Sequence, residues 1–313
     1  MHKAFRSLRL VDVLVVVFAV VLSITLLVFS ARSTEAYLVV AINTIASIGI
    51  IVISYALSRR SNKILRIIHD WYPVPTIFFM FKEVHVVLQA LARSDWDDLL
   101  IAIDHAVFQL HPTQWLQQFS FPLLTELLQV AYTSYYFIML TVGIEVFLRY
   151  DREKFSYVLF TIVYGFFLSY IGYIIFPAVG PRFTLHDFHA LDTELPGLVL
   201  TTPIRDVLNA GESIPKGAVN ALALAQRDAF PSGHTQMALI SLYLAHQYKL
   251  RSRHVLYVLG TLLIISTVYL RYHYVIDVVA GVLLAALIVA TARPLYRMLG
   301  GGAVRDQRTH TDL

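Results

Sequence analysis

The sequence contains no cysteine. That excludes disulfides, thiolate metal ligands and cysteine nucleophiles, and leaves the compartment open. Charge is scarce as well: Asp, Glu, Lys and Arg supply 15% of the 313 residues, against about 25% in ordinary soluble domains. Hydrophobic residues make up 57% and the mean hydropathy is +0.64. Several uninterrupted apolar runs reach the roughly 18 to 20 residues that cross a bilayer as helix. The composition is that of a polytopic membrane protein. The net charge of +4 is spread over short loops rather than gathered into a stripe. It therefore sets membrane orientation and does not point to nucleic acid. No internal repeat or low-complexity segment is present.

The first apolar run, about 10–30, follows Lys3, Arg6 and Arg9. It exceeds the roughly 7 to 15 residues of a signal-peptide core, so a retained span is expected. Further spans are expected at about 36–58, 74–91, 121–148, 156–177, 232–248, 254–270 and 274–295. The fold class is thus an all-α integral membrane protein with about eight transmembrane helices. The third span is short and contains Lys82, Glu83 and His85. With a cytoplasmic N-terminus, inner segments hold 17 of the 25 Lys and Arg residues and outer segments 7. The positive-inside rule supports that orientation, with both termini cytoplasmic, and a crossing at 74–91.

Residues 1–73 are read as two N-terminal helices and a basic cytoplasmic loop, 74–296 as the main membrane domain, and 297–313 as a flexible cytoplasmic tail. Two outer segments are long. Residues 92–119, with Trp96, Trp115 and Asp95, Asp97, Asp98 and Asp104, are expected to form an interfacial helix plus loop. Residues 178–230 form the largest polar segment, of a length that is usually functional or disordered.

Two stretches concentrate chemistry. In "STVYLRYHYVID" (266–277), a helix continuing from His273 would carry Asp277 one turn away on the same face. The carboxylate would then accept the imidazole Nδ1–H and leave Nε2 as nucleophile or base. Arg271 lies just before, its forked donors suited to an anionic oxygen. A buried His–Asp pair that only joins helices is the bland alternative, although intramembrane ionisable groups are functional suspects by default.

In "RDAFPSGHTQMAL" (227–239), Pro231 suits a first helical turn. Ser232 and Gly233 would then expose N–H groups as an anion site, with His234 at its mouth. The alternative is a plain turn opening the sixth span. By the topology above both stretches emerge on the outer face, as does Arg182 in "FPAVGPRF" (176–183). Two histidines, a carboxylate and two arginines on one surface are what phosphoryl transfer needs.

"FPSGH" and "HYVIDVVAG" resemble the second and third motifs of the type-2 phosphatidic acid phosphatase superfamily, over about residues 120–295. The family's third motif, SRxxxxxHxxxD, is kept at Ser266, His273 and Asp277, with Thr267 where its arginine belongs. Its first motif, KxxxxxxRP, is not kept: Arg182 follows a proline and Ile175 holds the lysine position. With Arg271 two before the histidine, these departures resemble the branch of the inositol phosphorylceramide synthases.

The resemblance implies a six-helix phosphatase-type core in the main domain and a lipid phosphate substrate. His273 would be the nucleophile forming a phosphohistidine, oriented by Asp277. His234 would be the acid for the leaving group, and Ser232 and Gly233 would cradle phosphate. No cofactor or metal is implied. On charge and position rather than motif, Arg182 and Arg271 are candidates for the missing cations, and Arg227 is a weaker one.

The expected function is a membrane lipid phosphatase, acting on a monoester or pyrophosphate at the non-cytoplasmic face. The alternatives are a headgroup phosphotransferase and, from another class, a lipid-binding or transport protein. "HDFH", with His186 and His189, lacks the partners of a metal site. Lys82, Glu83 and His85 are read as structural rather than as cavity-lining. Tyr132, Tyr135 and Tyr136 are expected to pack or anchor.

Overall fold

The computed structural model describes residues 7–30 and 33–300. Beyond Gly300 the expected tail lies outside them, as do Lys3, Arg6 and Arg32. The described residues form helices and connecting loops, without a strand. The longer helices are α1 (Leu10–Phe29), α2 (Thr34–Arg59), α3 (Lys63–Trp71), α4 (Pro73–Leu91), α5 (Asp97–Phe108), α6 (Pro122–Thr133), α7 (Tyr135–Arg149), α8 (Arg152–Ile175), α9 (Thr201–Gly211), α10 (Gly233–Gln247), α11 (Arg253–Tyr269) and α12 (Val275–Met298). Single-turn helices at Pro112–Leu116, Pro181–Thr184, Leu191–Glu194 and Ala221–Leu224 punctuate the two long segments 92–119 and 178–230.

Among the described residues five helical segments are long and apolar enough to cross a membrane: α1, α2, α3–α4 taken together, α8 and α12. The pair α6–α7 makes a sixth if counted as one bent span. Helices α10 and α11 lie where spans are expected at 232–248 and 254–270, but with 15 and 17 residues they are shorter than the roughly 20 that cross a bilayer. The protein is an all-helical, multi-pass chain.

The α6–α7 bend measures 44° and has a local cause. Thr133 Oγ1 donates to the Gln129 carbonyl at 2.8 Å and Ser134 Oγ to the Ala131 carbonyl at 2.6 Å. Such back-bonding competes with the helical ladder and bends it.

The chain divides into two compact units. One contains the residues up to Ala92, Val146–Phe167 and those from Ile288 onward. In it, Asp12 of α1 is fully buried and accepts hydrogen bonds from the Arg9 amide at 2.8 Å and from the Tyr72 hydroxyl at 2.9 Å. His69 lies 3.1 Å from the same carboxylate. Arg9 and Arg152 both pair with Asp70, at 3.0 and 2.6 Å. Buried charges persist only when paired in this way. Between α1, α2, α3 and α4 lies an apolar cavity of about 260 Å³. Glu83 lines it and accepts from Asn43 at 3.0 Å. The purely structural expectation for Glu83 is thus corrected, because the residue does face a cavity.

The other unit comprises Arg93–Glu145 and Leu168–Leu287 and contains every residue of the site described next. Its core includes Leu128, Tyr132, Leu195, Tyr269, Leu270 and Tyr272. A second cluster joins Leu100, Ala178, Ala229 and Tyr274.

Candidate active site

Helix α10 starts at Gly233 with Ser232 as its cap, the Ser232 side chain accepting from the Thr235 amide at 3.3 Å. The Ser232 amide donates to the Asp277 carbonyl at 3.0 Å, which ties the two histidine motifs together. Of the two amides expected to cradle an anion, that of Ser232 is thus taken by Asp277. Pro231 precedes the cap rather than opening the helix, and the Ser232 N–H is committed and buried. A Cβ on Gly233 would lie 2.2 Å from the Tyr173 hydroxyl, so that glycine serves close packing. Gly281 of α12 serves it too: a Cβ there would lie 2.6 Å from the Ser232 carbonyl oxygen.

His273 sits in a turn between α11 and α12, not on the helix expected there. The turn closes on Thr267, whose carbonyl accepts the amides of Tyr272 and His273, both at 3.0 Å. The residue in the family's arginine position therefore works through its backbone. Carboxylates fix the start of α12. Tyr274 N donates to Asp277 Oδ2 at 2.8 Å, and Val275 N and Ile276 N donate to Asp104 at 2.8 and 2.9 Å. These are orphan donors of a first helical turn, and an anion at that end is favoured.

His273 Nδ1 lies 2.8 Å from the Ala229 carbonyl oxygen and 3.4 Å from Asp277 Oδ2. The carbonyl is the nearer partner and Asp277, the orienting group expected from the sequence, the farther one. A carbonyl can only accept, so Nδ1 carries the proton and Nε2 keeps its lone pair. That Nε2 lies 3.4 Å from His234 Nδ1. Burial pushes the His273 pKa down to about 4, against the opposing charge of Asp228. The imidazole is neutral at neutral pH. Burial, with Glu212 nearby, raises Asp228 to about 6.

His234 is held between two rings from either side of the α6–α7 bend. Tyr132 stacks on it with centroids 4.5 Å apart, and Tyr135 lies at 4.3 Å. Tyr132 also stacks on Tyr272 at 4.2 Å. Tyr132 and Tyr135 thus pack on the histidine itself, and the Tyr136 ring lies edge-on to Tyr135.

Arg182 lies near enough to the histidine pair for its charge to act on both His234 and His273. Its guanidinium packs on the rings of Tyr272 and Phe183, 4.6 and 4.7 Å from their centroids. It donates to Asn209 Oδ1 at 3.3 Å and is ion-paired with Glu212. Asp97 places this segment. Its carboxylate accepts from Val179 N at 3.0 Å, Gly180 N at 2.9 Å and the Tyr274 hydroxyl at 2.7 Å. Arg182 N then donates to the Arg271 carbonyl at 3.0 Å.

Arg271 itself is held by a different carboxylate. Its backbone is left-handed, with φ of 68°, and its fully buried guanidinium pairs with Glu194 through Nη1, while Nε and Nη2 have no partner among the described residues. Arg227 pairs with Asp95 at 3.1 Å. Arg205, which sequence reasoning passed over, is buried and donates to Gln129 at 3.3 Å and to Asp192 at 2.8 Å. Asp228, Glu212, Asp97 and Asp104 were also missed. Asp228 alone carried a signal, lying inside the quoted "RDAFPSGH".

His186 Nε2 lies 3.0 Å from Thr113 Oγ1, while the His189 ring lies edge-on to Phe188. Among the described residues no group of three His, Asp or Glu side chains is arranged to hold a metal.

The arrangement offers a lone pair, a neighbouring titratable imidazole and a buried cation. It can support attack on an electrophilic phosphorus. Comparison with curated proteins and with solved structures gives no match. A family model described as the PAP2 superfamily matches residues 98–291, more than half of the chain, and covers both histidine motifs. On that match the chain belongs to the PAP2 superfamily, whose members are generally enzymes of phosphatase type.

Proposed function

We propose that the protein is a membrane lipid phosphatase, hydrolysing a phosphate monoester or pyrophosphate of a lipid through a phosphohistidine on His273. The observation that carries this reading is the tautomer of His273: with Nδ1–H on the Ala229 carbonyl, the lone pair of Nε2 faces His234. Nε2 attacks phosphorus, a P–N bond forms and the P–O bond to the lipid breaks. The leaving oxygen takes a proton from His234. Water, deprotonated by His234, then attacks the phosphohistidine and releases phosphate. Arg182 pairs with the phosphoryl oxygens. Asp277 assists in orienting His273. The 17 to 7 distribution of Lys and Arg supports an active site at the non-cytoplasmic face, with both termini inside.

A phosphotransferase of the inositol phosphorylceramide synthase type is the second reading. It draws on Thr267 and Arg271 in the third motif.

A panel of lipid phosphates assayed for phosphate release, with His273→Ala as control, tests the proposal. Release that needs His273 is the expected result. Unchanged release by His273→Ala overturns the nucleophile assignment. A new phospholipid on adding an alcohol, without free phosphate, overturns the phosphatase reading in favour of transfer.

A further inference from the structure

We propose that Glu212 is a displaceable occupant of the phosphoryl position. Its carboxylate holds Arg182 until the phosphoryl group of a substrate or product takes its place, and it thereby sets how tightly the site holds anions. The inference rests on the reading of Arg182 as the anchor of the phosphoryl group.

The Arg182 guanidinium packs on the rings of Tyr272 and Phe183, which leaves its in-plane N–H groups to take a ligand. Nη1 donates to Asn209 and Nη2 to Glu212. Nε is buried and, among the described residues, has no partner. Nε–H and one Nη2–H point the same way and form the edge that binds planar or tetrahedral anions in a bidentate manner. Glu212 engages one of these two donors and leaves the other unsatisfied, which a buried N–H does not tolerate cheaply. A phosphoryl group carries three oxygens and can accept from both.

Two features set Glu212 apart from a fixed structural partner. It stands at the C-terminal cap of α9, where the helix end is itself negative and local preference disfavours a carboxylate. The next residue, Ser213, has a left-handed φ of 71° and turns the chain away. In addition, the Glu212 charge acts on His273, Asp228 and Tyr272 together. Negative charge thus already stands among the groups that a phosphoryl dianion would meet.

The test uses full-length protein in lipid nanodiscs, with inorganic phosphate and orthovanadate as probes. Two readouts are taken: competition against lipid-phosphate turnover, and the rise in melting temperature with added anion, which needs no turnover. Glu212→Gln is expected to bind both anions about tenfold more tightly, the effect of removing one competing ion pair. KM for a lipid phosphate should fall while kcat changes less. Glu212→Asp, the milder variant should Gln fail to fold, moves the same way by a smaller factor.

Anion affinity unchanged or weakened in both Glu212 variants, with Arg182→Gln weakening it, overturns the inference and leaves Glu212 as a positioner of Arg182. Anion affinity indifferent to Arg182→Gln overturns the anchor reading itself, and the inference with it.

Discussion

Replacing Asp97 by Asn changes one oxygen to NH2 at the point where two parts of the site are joined. The carboxylate is 4% exposed and accepts three hydrogen bonds: from Val179 N, Gly180 N and the Tyr274 hydroxyl. Asparagine offers one acceptor oxygen, so at least one of these donors faces an NH2 group. A buried donor left without its partner costs about 1–3 kcal/mol. The bonds that survive lose charge assistance, and the sum comes to roughly 2–4 kcal/mol. The consequence for chemistry is positional. Asp97 binds the segment leading to Arg182 on one side and the residue after His273 on the other. A displacement of about 1 Å at reacting groups can cost about a hundredfold in rate.

The expected outcome for Asp97→Asn is therefore a kcat lowered between about ten- and a hundredfold, with a lower melting temperature. The assay is phosphate release together with thermal unfolding of the same preparation. Tyr274→Phe removes one of the three donors, and the double variant should cost less than the sum of the two singles, as coupled neighbours do. Activity within twofold of wild type and an unchanged melting temperature would refute the reasoning.

Two further outcomes follow from the same site. With the His273 pKa pushed down to about 4 by burial, the acid limb of kcat/KM should lie well below the ordinary histidine range. The rate falls only as pH drops through that value, because protonation removes the Nε2 lone pair; a limb at about 6.5 contradicts it. The sign for stability is the same: the folded pKa lies below the unfolded one, so this contribution is full above about 6.5 and is lost as pH falls through about 4. Gly180→Ala should abolish turnover and lower the melting temperature. Gly180 has φ of 90°, and a Cβ there would lie 2.6 Å from the Tyr272 carbonyl oxygen. Gly49→Ala, with nothing within 4 Å of the added Cβ, is the neutral control.

The membrane character, the helical class and the pairing of the two histidine motifs were legible in the sequence. Apolar run length and local motif spacing are properties of contiguous residues. His234 and His273 were identified one by one, and the family match over residues 98–291 covers both. Legibility ended where partners come from distant segments. The main acceptor for His273 Nδ1 is a backbone carbonyl 44 positions away in sequence, and no side-chain pattern marks a carbonyl. Asp97 and Asp104 looked like charges of an interfacial helix. They are in fact the clamps of the turn around His273, because they satisfy amides that the chain itself leaves open.

Arg182 and Arg271 were equivalent candidates by charge and position. The fold gives them different surroundings: Arg182 packs on the ring of Tyr272 and is ion-paired with Glu212, and Arg271 is fully buried and ion-paired with Glu194. Sequence alone determined which atoms are available for chemistry, since composition and motif spacing are written along the chain. Tertiary structure decided which of them face one another, because burial makes an unpaired charge or N–H costly, and the partners that relieve that cost are chosen in space.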